Sequence, residues 1–228
     1  ADLLATQVAD RPAACDDLAE LRTTIDRASA LVRGLRTFSR REPLVLDTVD
    51  VAALVRTLAP SLRLLAGERV TLRVEAGAPI PPVRADRAQL ERVLVNLVTN
   101  ARDAMPDGGT CTVSAEADGP DGVLLAVYDT GIGMDAETQA HLFEPFWTTK
   151  PDGTGLGLPT VFAIVRQTGG TVAVASAPGR GTTMTVRLPS VGAESPDVTL
   201  RAALAAAFRP APVAPEGALA GGRRWLAP

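Results

Sequence analysis

Between residues 14 and 41 the apolar positions Leu18, Leu21, Ile25, Ala28, Val32 and Leu35 recur at steps of three and four. This is the a/d seam of a helix lying along another helix, and Leu31 and Phe38 widen it toward the face of a four-helix bundle. Such a helix cannot bury its stripe alone and requires partner helices. Residues 1–9 read as the end of a preceding helix, with Arg11-Pro12 as the turn after it. Beyond residue 44 the period changes. Alternating or apolar runs at Val70–Val74, Cys111–Ala115, Val123–Tyr128, Thr171–Ala175 and Thr183–Leu188 predict strands. Helical patterns fall at about 51–65, 87–105 and 157–168, with glycine-rich breaks between elements. Strands interspersed with helices, without a regular βαβ repeat, predict an α+β fold over residues 44–190, a two-layer sandwich with a mixed sheet. Residues 191–228 are rich in Ala, Pro and Gly and read as a linker or tail, in which Val198–Phe208 has the pattern of a short helix.

Composition narrows the chemistry. At 228 residues and 46% hydrophobic, the chain can build a core. A net charge of −3 gives no electrostatic footprint for nucleic acid. Two cysteines, Cys15 and Cys111, argue against a disulfide framework or thiolate metal site, and the single histidine, His141, against a His-rich metal cage. No apolar run nears the ~18 residues of a membrane span. Opening on Ala1, the chain is expected to continue a longer sequence. Of 23 basic residues all are Arg except Lys150, which is either a leftover surface residue or a position that needs an ammonium.

The segment Asp86–Met105 is the most informative. Asp86 with Gln89 resembles a capping box, and Leu90, Val93, Leu94, Leu97, Val98 and Ala101 form a core face. Arg92, Asn96, Asn100 and Asp103 share another face. Asparagine is a mediocre helix former, so two stacked one turn apart are either a solvated face or amide oxygens for a hard cation or adjoining phosphate.

Two glycine loops follow. The strand Val123–Tyr128 runs into Asp129-Thr-Gly131-Ile-Gly133, which is either a tight turn or a carboxylate placed to accept from an exocyclic amine such as adenine N6. Gly153-Thr154-Gly155-Leu156-Gly157-Leu158 enters a helix at Pro159, a place suited to phosphates. It lacks the Gly-Lys-Ser/Thr ending of a Walker loop. Between the loops some twenty weakly patterned residues, including Phe143-Glu-Pro-Phe146-Trp-Thr-Thr-Lys150, read as a lid, unless Phe143 and Phe146 are simply core. Lys150 is placed to meet phosphate as a point charge. His141 reads as structural or exposed rather than catalytic.

In series, Asn96-Leu-Val-Thr-Asn100-Ala-Arg-Asp103-Ala, Asp129-Thr-Gly-Ile-Gly133, Phe143-Glu-Pro-Phe146 and Gly153-Thr-Gly-Leu-Gly157-Leu resemble the N, G1, F and G2 boxes of the GHKL ATP-binding family, specifically the catalytic domain of bacterial sensor histidine kinases of the nitrogen-regulator or hybrid-kinase type. Gly181-Thr182 is similar to the family's last motif. Residues 1–43 resemble part of the dimerisation and histidine-phosphotransfer module, without its phosphoacceptor His. The resemblance implies a Bergerat-type sandwich with helices on one face of the sheet, and ATP and Mg²⁺ as cofactors. It implies Asn100 as the metal ligand supported by Asn96, both in catalysis, and Asp129 on the adenine amine with Gly131 and Gly133 allowing close approach. Gly153, Thr154, Gly155, Leu156, Gly157 and Leu158 would wrap the phosphates, with Asp103, Lys150 and Thr182 also lining the nucleotide site. It further implies a homodimer through residues 14–38, a response-regulator receiver domain as partner, and a cytoplasmic location, with no membrane contact by this segment. In hydrolysing branches a Glu stands one turn before the metal Asn; here that position is Asn96, a poor general base. The expected activity is therefore phosphoryl transfer to a histidine, against the alternatives of a nucleotide-binding scaffold, a serine kinase of the anti-sigma type and an ATP hydrolase.

Overall fold

Two aspartates start the two longest helices among the described residues. The Asp50 side chain accepts from the Ala53 amide at 2.9 Å and caps α1 (Val51–Ala66). The Asp86 side chain accepts from the Gln89 amide at 3.2 Å and caps α2 (Arg87–Asp103). Each bond satisfies an amide that no helical carbonyl can reach. The computed structural model describes residues 45–77, 79–150, 153–192 and 224–226. The bundle helix expected over 14–41, the helix end at 1–9 and the short helix at Val198–Phe208 lie outside the described residues.

The main sheet holds β2 (Val70–Glu75), β4 (Gly109–Ala117), β5 (Gly122–Asp129), β7 (Thr182–Pro189), β6 (Thr171–Ser176) and β8 (Arg224–Leu226), in that spatial order. β2 runs parallel to β4 and every other neighbouring pair is antiparallel, so the sheet is mixed as expected. A small ladder of β1 (Asp47–Val49) and β3 (Val83–Ala85) is tied to the end of β7 by a bridge from Val83 to Ser190. The chain returns across the sheet through α3 (Ala136–His141) and α4 (Gly157–Gln167). Helices α1, α2 and α4 touch side by side, and each also touches the sheet, which makes one helical layer on one sheet face. This is the Bergerat-type sandwich.

The layers meet over one apolar core in which Leu54, Leu62, Leu90, Leu94, Leu97, Leu125 and Leu188 are fully buried. All six apolar positions assigned to α2 from spacing are buried. Burial of each such side chain contributes about 1.5–3 kcal/mol, which holds α2 in a fixed rotation. Its polar face is thereby aimed outward at a set azimuth. Cys111 on β4 is also fully buried; burial, and secondarily the Asp129 carboxylate, pushes its thiol up to about 12, so it is inert.

Three features depart from the sequence reading. β1 and β3 have three residues each, too few to show a period. α3 lies within the stretch read as irregular. Arg224–Leu226, placed in the tail, pairs with Val172–Val174 along β6, whose backbone groups on that side would otherwise form an open edge.

Candidate functional site

The asparagine face of α2 is half-buried because α4 begins directly above it. A Cβ built on Gly157, the first residue of α4, would lie 3.7 Å from Asn100 Nδ2 and 3.9 Å from Asn96 Oδ1. Free amides at a helix start and the oxygens of two carboxamides thus share one space. Pro159 stands in the first turn of α4, where a missing N–H costs nothing. From the lid, Lys150 reaches into the same space: its Nζ lies 3.3 Å from Asn100 Oδ1 and 2.7 Å from Asp103 Oδ2.

Asp103 is held from both sides. Its Oδ1 accepts from Arg102 Nε at 3.0 Å and Nη2 at 2.6 Å, and Arg102 Nη1 also donates to the Leu65 carbonyl at 3.2 Å. Partial burial raises the Asp103 pKa, but the hydrogen bonds and charges of Lys150 and Arg102 outweigh it and hold the carboxyl below its usual range.

The C-terminal end of α2, just past Asp103, meets the β5 turn. On β5 the side chains of Val123, Leu125 and Val127 face the core, and Asp129 continues that alternation. A carboxylate therefore lands in the helix–sheet interface, 5% exposed. Burial raises its pKa to about 6, against backbone hydrogen bonds from Gly131 and Thr182 that lower it; the Gly131 bond is 2.9 Å. Gly131 packs against the Ala104 carbonyl so closely that a Cβ would overlap it, and the Ile132 amide donates to that carbonyl at 2.9 Å. Gly133 and Gly181 adopt φ of +66° and +74°, with no room for a Cβ beside the Ala177 and Asp129 carbonyls.

The lid is locally organised. His141 Nδ1 lies 2.9 Å from Glu144 Oε1, and its ring stacks on Trp147 at 5.7 Å. The lid phenylalanines divide: Phe143 packs on Phe162 at 5.2 Å, while Phe146 is 50% exposed. Leu156 is buried, Leu158 packs on the core, Thr154 is exposed, and the Gly153 amide donates to the Lys150 carbonyl at 3.2 Å. No group of three His, Cys, Asp or Glu side chains able to hold a metal occurs among the described residues.

Residues 85–192 match the family described as histidine kinase-, DNA gyrase B- and HSP90-like ATPases. The chain is 42% identical over 207 residues to the sensor kinase CckA of Brucella abortus (strain 2308), covering 82% of this chain and 22% of that protein. It is 38% identical over 168 residues to the sensor histidine kinase ZraS of Escherichia coli (strain K12), covering 72% of this chain and 35% of that one. This chain carries the catalytic domain of a bacterial sensor histidine kinase. Among solved structures, full-length ShkA in complex with AMPPNP superposes with a TM-score of 0.64 at 25% identity, over 82% of this chain and 40% of ShkA. The chain thus spans about a fifth to a third of the length of the two curated relatives.

Within this kinase domain Asn96, Asn100, Asp103, Lys150 and Gly157 form one cluster. Asp129, Gly131, Gly133 and Thr182 form a second, joined to the first through the C-terminal end of α2. Thr154 joins neither. Arg102 and Ser176 were not read from the sequence as participants, and Phe146 was read only as a lid aromatic. Arg102 aims Asp103. Ser176 donates to the Gly181 carbonyl at 2.9 Å, accepts from the Met134 amide at 2.8 Å and meets Thr182 Oγ1 at 3.0 Å, tying the β5 turn to the last motif. Phe146 has a φ of +69°, a left-handed conformation rare for a bulky residue, and its backbone fills the place of a Gly155 side chain. Only the run of glycines after the lid hinted at that contact.

Proposed function

We propose that the kinase domain binds Mg·ATP against α2 and transfers the γ-phosphoryl group to a histidine imidazole on a dimerisation helix. One observation carries the reading: Asn96 and Asn100 lie beneath the free amides of α4, while the C-terminal end of the same helix, at Ala104, packs against the Asp129 turn. The ShkA complex with AMPPNP, a nucleotide analogue, supports it.

In this reading Asp129 accepts from the adenine amine, Thr182 and Gly131 hold that carboxylate, and Gly133 lets the backbone approach closely. Gly153, Thr154, Gly155, Leu156, Gly157 and Leu158 carry the amides that cradle the phosphates. Asn100 would hold Mg²⁺, with Asn96 orienting it. The fit is tested by the structure itself, since Asn100 Oδ1 already faces a cation, the Lys150 ammonium. Bound there, Mg²⁺ would neutralise phosphate charge, and the nucleotide supplies the oxygens that a site without an acidic cluster lacks.

A carboxamide at position 96 takes no proton from water, so solvent attack is slow and transfer to a presented imidazole is favoured. Residues 1–43 supply part of the dimerisation module, the phosphoacceptor His lies outside this chain, and the phosphate passes on to a receiver-domain Asp. The test is to incubate the chain and γ-labelled ATP with a His-bearing helical module of the same type. Acid-labile label on that histidine is expected. Acid-stable phosphoserine, or phosphate release on the order of 1 per second without acceptor, would contradict it.

A further inference from the structure

Lys150 is the one lysine among 23 basic residues, and it stands in the lid opposite α2. Its ammonium is a compact point charge with three donors, and it lies between a carboxamide oxygen and a carboxylate oxygen. Both ends of this contact are anchored. On the lid side the Lys150 amide donates to Thr148 Oγ1 at 3.1 Å, its carbonyl accepts from Gly153, and Gly155 packs on the Phe146 backbone. On the helix side Asp103 is fixed by Arg102, which leaves Oδ2 for the lysine. The pair links residues 47 apart and fastens the lid to the helix that carries the asparagines.

We infer that Lys150 is an internal stand-in cation that latches the lid to α2, and that Asp103 is the positioning residue that parks it there rather than a nucleotide contact. The inference rests on the Mg·ATP reading for what displaces the lysine. Mg²⁺ on Asn100 Oδ1 at about 2.1 Å disfavours an ammonium at the same oxygen, because two cations a few ångströms apart repel. Entry of the metal and departure of the lysine are therefore one exchange. The freed ammonium moves to the terminal phosphates and leaves Asp103 behind.

The strength is modest by construction. The two side chains are 39% and 28% exposed, the range in which an ion pair shifts an equilibrium about two- to fivefold. Such a latch orders the lid without locking it.

Two arms test this on the full chain. First, amide hydrogen exchange is followed across 142–156 without nucleotide. Asp103→Asn and Lys150→Met each speed exchange about two- to fivefold, and the double variant adds nothing further, while β4 and β5 are unchanged. Unaltered lid exchange, or additive effects, would overturn the latch. Second, binding of Mg·AMPPNP is measured. Asp103→Asn tightens it about two- to fivefold because no latch must open, whereas Lys150→Met weakens it about tenfold through the lost phosphate contact. Weaker binding by Asp103→Asn would make Asp103 a nucleotide ligand and refute the assignment. If the parent chain takes up no nucleotide, the Mg·ATP reading fails, and the exchange arm still decides the latch.

Discussion

Asn100→Ala lowers the affinity for Mg·ATP by about 30- to 100-fold and leaves the affinity for ATP without Mg²⁺ within about threefold. The carboxamide oxygen is the metal's protein ligand in this account, and losing a bond to a charged partner removes about 2–3 kcal/mol. The fold survives the change. Position 100 lies on the half-buried face of α2, outside the set of buried apolar residues, and alanine is the better helix former. Thermal stability is thus unchanged or slightly raised while binding collapses, a split that separates a ligand role from a packing role. Calorimetric titration with and without Mg²⁺ reads both. Equal affinity for Mg·ATP in parent and variant would remove Asn100 from the metal site.

Asp129→Asn has the second largest effect, and it shows in both base selectivity and pH. A charged acceptor buried among apolar side chains is matched by an amine donor and opposed by the carbonyl that guanine carries at the same place. The variant loses about 10- to 100-fold in ATP affinity, and its amide can turn to donate, so the preference for ATP over GTP shrinks to a few-fold. The pH consequences follow from a folded-state pKa of about 6 against 3.8 for the free acid, with burial as the main cause. Between these values the folded form holds the proton more strongly than the unfolded form. Stability contributed by Asp129 is present at pH 4 and below and is lost as pH rises through about 6, a span worth about 3 kcal/mol. In the opposite sense, ATP binding needs the carboxylate and weakens as pH falls below about 6. The variant flattens both slopes, which denaturation and binding measured from pH 4 to 8 would show. A parent chain that binds GTP as well as ATP would refute the adenine role.

What the sequence disclosed, and what it did not, divides along physical lines. Helix α2 was legible on both faces, since a period of 3.6 places Leu90 through Ala101 inward and Asn96, Asn100 and Asp103 together. Asp129 was legible as the polar end of an apolar strand, although its burial follows from the alternation it shares with Val127. The lid was not legible beyond its aromatics. α3 has six residues and none of them is buried, so no apolar period exists to read. The left-handed Phe146 is imposed by its neighbours, and propensity argues against it. The Lys150–Asp103 contact joins two segments that no local pattern relates; the rarity of lysine in this chain was its one trace. β8 forms because an edge was open, a fact belonging to the sheet and not to Arg224–Leu226.

Calorimetric titration of the folded chain with ATP in the presence of Mg²⁺ decides whether α2 carries a Mg·ATP site. A single saturable site per chain is expected, whose affinity falls when Mg²⁺ is chelated and drops about 30- to 100-fold on Asn100→Ala. A folded chain that gives no saturable heat with Mg·ATP would contradict it.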